Sequence, residues 1–149
     1  MTSGETAAGP SGIPGAVLAW GLAGLIPFLG LPALAFAAPA LGAGSDRALA
    51  LYAAVILSFL GGARWGRAVA EAAPDPRTIA LAMAPSVAAW GLVLLPERHS
   101  GPALGGLAAA LVLHLVWDLR SAGLPAWYPR LRLILTAGAV AGLAAGALG

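Results

Sequence analysis

Five predominantly apolar stretches, near residues 14–38, 47–72, 77–95, 103–119 and 131–148, divide this chain. A hydrocarbon core of about 30 Å takes about 20 apolar residues in a helix, and every backbone polar group inside it must find a partner within the protein. With 149 residues in all, five such stretches leave no length for a folded domain outside the bilayer. Composition agrees: 60% of residues are hydrophobic and 9% charged, against about 45–50% apolar and about 25% charged in soluble domains. The expected fold is all-α, a polytopic membrane protein built as a five-transmembrane-helix bundle, with one domain over residues 13–149. Residues 1–12 are Gly, Ala, Ser and Thr with a single charge, Glu5. They cannot bury enough apolar surface to order themselves and are expected to form a disordered tail.

Several chemistries are excluded by what the chain lacks. It has no Cys, so neither a disulfide nor a thiolate metal site can form. All 8 basic residues are Arg, which rules out a P-loop lysine and a Schiff-base lysine. Net charge is only +2, and the arginines flank apolar segments instead of forming a basic stripe, so nucleic acid is not an expected partner. There is no H-E-x-x-H, EF-hand or dinucleotide fingerprint. A Ser86, His114, Asp118 triad fits by residue type, but Ser86 follows Pro85 in APSVA with no nucleophile elbow. No catalytic residue, metal or cofactor is assigned.

Breakers set the expected helix ends. Pro27 should kink the first span near its middle, Ser45-Asp46 should cap the second, and Pro74-Asp75-Pro76 should end it near Ala72 and let Asp75 cap the third. With five crossings, Arg64, Arg67, Arg77, Arg120, Arg130 and Arg132 share one side, leaving Arg47 and Arg98 on the other. The positive-inside rule then puts the N-terminus in the cytoplasm and the C-terminus outside. The first residues carry no Arg, unlike a mitochondrial transit peptide, which favours a bacterial inner membrane.

The stretch YAAVILSFLGGARWG at residues 52–66 holds the most informative charge. From Leu49 to Ala63 is a rise of about 22 Å at about 1.5 Å per residue, so Arg64 should sit inside the membrane boundary. There it must snorkel or find a counter-charge. Asp118, which closes the fourth span, lies at the same depth by the same arithmetic, and the two are expected to pair. Independent snorkelling is the alternative. His114 stands one turn before Asp118 and shares its face, an arrangement that could orient the imidazole. His99 falls on the opposite side of the membrane and cannot share a metal ion with it. Ser58, Gly62 and Gly66 recur every fourth residue as a stripe of small side chains, suited either to a contact within the bundle or to a homodimer seam. In GLPAWYPRLRLILT, at residues 123–136, two prolines brace an aromatic pair ahead of two arginines. Trp127, Tyr128 and Arg130 can act as an interfacial anchor, or as a pocket rim facing Arg64, Trp65 and Arg67.

Together with GLAGLIPF at 21–28 and APSVAAW at 84–90, these blocks resemble an uncharacterised integral-membrane family, domain of unknown function 3429. The resemblance covers nearly the whole chain beyond the tail. It implies a five-helix membrane protein of bacteria or mitochondria and carries no established activity, cofactor or catalytic residue. Two functions fit, with an enzyme a distant third. One is an interaction or assembly protein, accessory to a larger membrane complex or paired as a homodimer. The other is a module that binds, and could transport, a membrane lipid, a quinone-like molecule or another amphiphilic anion at the cytoplasmic interface.

Overall fold

The computed structural model describes residues 12–40, 42 and 44–149. The expected tail, residues 1–12, lies outside them except for Gly12. The helices are α1 (Gly15–Ala23), α2 (Ile26–Ala37), α3 (Ser45–Val69), α4 (Pro76–Val93), α5 (Ser100–Arg120) and α6 (Tyr128–Leu148), with a 3-10 turn at Glu97–His99 before α5. No strand occurs among the described residues.

Counting α1 and α2 as one broken rod, five rods pack side by side with alternating direction. Four of them, Gly15–Ala37, Ser45–Val69, Ser100–Arg120 and Tyr128–Leu148, are long and apolar enough to cross a membrane. The expectation of five such helices is thereby corrected. The exception is α4, which opens on Pro76-Arg77-Thr78 and carries Pro85 and Ser86 inside. Its 18 residues rise only about 27 Å at about 1.5 Å each. It nevertheless runs antiparallel along α3, with Ala82 against Gly61 and Leu92 and Val93 beside Ala50 and Leu51.

Pro27 acts earlier than its position suggests. It lacks an N–H for the carbonyl of Ala23, and the rod breaks at Gly24 and Leu25, leaving Pro27 in the first turn of α2. Tyr52 of α3 repairs the break: its hydroxyl donates to the Gly24 carbonyl at 2.9 Å, and its ring meets Phe28 edge-on at 5.1 Å. A second proline, Pro32, is carried inside α2.

Elsewhere the ends follow local chemistry. The N-cap of α3 is Gly44, in the left-handed region at φ 83°, and not Ser45 as expected. The helix stops at Val69, short of Ala72. Asp75 caps α4 as expected, accepting from the N–H groups of Arg77 and Thr78 and from the Thr78 hydroxyl at 2.8 Å. Pro129 fits the first turn of α6, which therefore starts at Tyr128, a turn before the expected boundary.

The core is a column of Phe28, Leu49, Leu57, Leu104, Leu107 and Leu143 between α2, α3, α5 and α6. Large apolar side chains also cover the outside: Trp20, Phe36, Phe59 and Leu113 are exposed. Inside and outside are equally apolar, as a bilayer requires and water would not tolerate. Helices then associate by close packing. A Cβ on Gly142 would overlap the Phe28 carbonyl, and one on Gly61 would lie 2.5 Å from the Ala82 carbonyl oxygen. The stripe picked out by spacing behaves differently. Ser58, Gly62 and Gly66 are exposed, and no atom lies within 4 Å of a Cβ built on either glycine. The within-bundle contact expected of that stripe is made by Gly61, about 100° round the helix.

Gly142→Val should therefore cost about 1–3 kcal/mol, read as a lower unfolding midpoint in detergent. Gly62→Val should change stability by less than about 0.5 kcal/mol; equal losses would mean that the faces of α3 are misassigned. Asp75 offers a second check. The Thr78 hydroxyl first, then the N–H groups of Thr78 and Arg77, hold its carboxyl below the ordinary 3.8. Its folded pKa is depressed, so the cap's contribution is complete above the unfolded pKa and is lost as pH falls through the lowered value. An NMR titration midpoint at or above 3.8 would contradict the cap.

Candidate functional site

Polar groups inside the bundle gather at one end, where α3 and α5 finish and α6 begins. Asp118 is 2% exposed and lies on the inner face of α5. Its Oδ1 accepts from Arg64 of α3, through Nε at 2.9 Å and also through Nη2. Its Oδ2 accepts from Arg132 Nε of α6 at 2.6 Å and, at longer range, from the Tyr128 hydroxyl at 3.4 Å. One carboxylate thus ties three helices. His114, one turn earlier on α5, brings Nδ1 to 3.5 Å from Oδ2 but makes no aligned hydrogen bond. Trp117 closes the cluster from the side. The Arg64 guanidinium lies 4.7 Å from its ring centre, a cation–π distance, and His114 meets the same ring edge-on at 5.6 Å.

The neighbouring loop is fastened separately. Ser121 Oγ donates to the Trp117 carbonyl at 2.8 Å, and Arg67 Nη2 donates to the Ala122 carbonyl at 2.9 Å. Gly123, at φ 71°, turns the chain directly over that guanidinium; a Cβ there would come within 2.7 Å of Arg67 Nη2. The chain then reaches Trp127 and Tyr128, whose rings pack edge-on at 6.1 Å.

Of the residues singled out by sequence, Arg64, His114, Asp118 and Tyr128 come together. Arg67 holds the loop and Trp127 backs Tyr128. Trp65 and Arg130 do not join: both are exposed and make none of these contacts. The rim expected from them is formed instead by Trp117 and Arg132. Helical phase is the reason, because residue 132 follows Tyr128 by four and shares its face, whereas residue 130 points about 200° away. Thr136, four residues further, continues the same line. The spacing Tyr128, Arg132, Thr136 on an otherwise apolar helix was the signal available.

The cluster is not fully satisfied. Two guanidiniums face one carboxylate, so with His114 neutral it carries one excess positive charge. Both ring nitrogens of His114, Arg132 Nη2 and Thr136 Oγ1 are buried without a hydrogen-bond partner. Leaving such an atom unpaired costs about 1–3 kcal/mol, and native proteins usually avoid it. Arg132 and Thr136 also line a groove of about 170 Å³ whose other walls include Trp20, Leu25, Ile56 and Phe59. A larger hollow of about 300 Å³ lies at the opposite end, beside Asp46, Arg47 and Ser100. None of the buried unpartnered atoms belongs to it, so the chemistry lies with the smaller groove. No group of three or more His, Cys, Asp or Glu able to hold a metal occurs among the described residues. What the arrangement can do is hold an oxygen acceptor at the edge of an apolar slot.

Asp118→Asn should be the most damaging change in the cluster, costing about 3–5 kcal/mol because it strands buried charge. Arg64→Gln should cost less, since Arg64 keeps more contact with solvent than Arg132. Exchanging the charges of Arg64 and Asp118 would set a second guanidinium against Arg132. That double variant should be no more stable than Asp118→Asn, and a recovered unfolding midpoint would show that Arg132 does not share the carboxylate.

Residues 13–148 match the family described as protein of unknown function DUF3429. The chain is similar to transmembrane protein 69 of Xenopus tropicalis, 38% identical over 131 residues, covering 85% of this chain and 51% of that protein. It is similar also to transmembrane protein 69 of Mus musculus, 32% identical over 134 residues, covering 77% of this chain and 48% of the mouse protein. The chain spans about half the length of these curated relatives. No solved structure matches it. Multiple apolar helices, the family match and membrane-protein relatives agree, and the chain belongs to the DUF3429 family of multi-pass membrane proteins.

Proposed function

We propose that this protein is a membrane-embedded binding module for an amphiphile whose head group presents oxygen acceptors to the Arg64–Asp118–Arg132 cluster. The observation that carries this reading is the set of buried, unpartnered donors on Arg132 and Thr136 at the edge of an apolar groove. Charge pairing alone would explain Asp118 and its arginines. It would not explain leaving Nη2 of one arginine and a threonine hydroxyl without partners, in a chain where unmet polar groups are expensive. Arg64, Arg67, Arg120, Arg130 and Arg132 gather at this end, which by the positive-inside rule faces the cytoplasm. With α4 crossing beside the four more apolar rods, the N-terminus is then cytoplasmic and the C-terminus outside, in the bacterial inner membrane expected from sequence.

A second reading, an accessory protein docked on a larger membrane complex or on a second copy, draws on a different observation. The small stripe of Ser58, Gly62 and Gly66 lies open on the outer face of α3, where small residues let a foreign helix approach closely.

Gentle detergent extraction followed by native mass spectrometry separates the two. A lipid-sized adduct at one per chain, retained by the wild type and depleted in Arg132→Gln, is the expected result. A stoichiometric protein partner or a dimer without such an adduct would favour docking, and a bare monomer would contradict both.

A further inference from the structure

We propose that the groove between the broken first rod and helices α3 and α6 takes a single-chain carboxylate amphiphile, its carboxylate bonded to Arg132 and Thr136. This rests on the binding reading and names its ligand class. The head group follows from donors and charge. Arg132 is 5% exposed and spends Nε on Asp118, leaving Nη2 free; Thr136 is 3% exposed and its hydroxyl is unbonded. A carboxylate has two acceptor oxygens for these two donors. It also cancels the excess positive charge of the cluster, which a neutral carbonyl or alcohol would leave in place.

The number of chains follows from space. The groove holds about 170 Å³, below the roughly 300–1,000 Å³ of pockets that enclose a drug-sized ligand. A glycerol backbone with two chains does not fit; a carboxylate and the first part of one chain does. Gly21 and Gly24 line the slot, and Gly21 lets α1 lie close on Leu135, another of its walls: a Cβ there would come within 3.1 Å of that side chain. Its mouth faces the lipid, since Trp20 is 80% and Phe59 68% exposed, so the remainder of the chain can lie along the outer surface. Depth agrees as well. Arg132 lies one turn, about 6 Å, inside the start of α6, near the level at which a fatty-acid head group sits at a bilayer boundary.

The test uses the full-length protein in mild detergent, with tryptophan emission read during titration with 9,10-dibromostearic acid. Its methyl ester and a phosphatidylcholine carrying brominated chains serve as comparators. Saturable quenching by the acid is expected, at least about tenfold weaker for the ester. Trp20→Phe should remove most of the quenching. Thr136→Val should weaken binding about tenfold, the loss of one hydrogen bond to a charged group, with an unchanged unfolding midpoint showing that it folds. Gly21→Leu crowds Leu135, a wall of the slot, from α1 and should abolish saturation while cooperative unfolding is retained. Acid and ester binding alike, or saturable quenching by the phosphatidylcholine that Thr136→Val weakens, would overturn the carboxylate assignment and leave the binding reading standing. Quenching by every probe that neither variant alters would be partition into the micelle, and would overturn both.

Discussion

Asp118 is a fully buried acid, and α3, α5 and α6 meet on it. In water such an arrangement would contribute little, because desolvating three charges offsets most of their attraction. Inside a bilayer the reference is different. Each arginine has to be neutralised or reach the head groups, and a carboxylate shared by two of them meets that demand for two helices at once. The cluster then fixes the relative depth and rotation of α3, α5 and α6 at one end, while at the other end Gly146 of α6 packs against Leu49 of α3 and Leu104 of α5. Removing the carboxylate leaves two cations that cannot both remain where they are.

Packing along the rest of the bundle shows why a polar clasp is needed. With lipid outside as apolar as the core inside, leucines do not distinguish a neighbouring helix from the solvent. Contacts of closest approach make that distinction, at Gly61 against the Ala82 carbonyl and at Gly142 against Phe28. These contacts join α3 to α4 and α6 to α2. The charge cluster sets the level of α3, α5 and α6.

How far this was readable in advance depended on which coordinate of a helix was involved. Depth is legible, because residues add about 1.5 Å each whatever they are. That arithmetic put Arg64 and Asp118 at one level, and they are bonded. Rotation is harder to read. One residue turns the helix by about 100°, so Gly61 and Gly62 face opposite environments, and Arg132 sits in the cluster while Arg130 lies outside. Spacing by four identified the right periodicity in α3 and attached it to the outer face, since small residues are equally acceptable to lipid. On α6 the recurrence from Tyr128 to Thr136 marked the inner face, but two nearby arginines read more easily as head-group anchors. The break at Gly24 was legible in kind from Pro27. Its repair by Tyr52 was not, because it joins residues 28 apart in sequence.

That repair has a bearing on how the chain is made. Residues leave the ribosome in order, so Gly24 reaches the bilayer before Tyr52 does. From the start of α1 to the break is about 14 Å, roughly halfway through the hydrocarbon, where a carbonyl without a donor is costly. The first rod cannot complete its own hydrogen bonding and waits for α3 to arrive beside it. The two therefore enter the bilayer as a dependent pair, and the smallest unit of this protein that can rest in a membrane without a bare carbonyl extends past Tyr52.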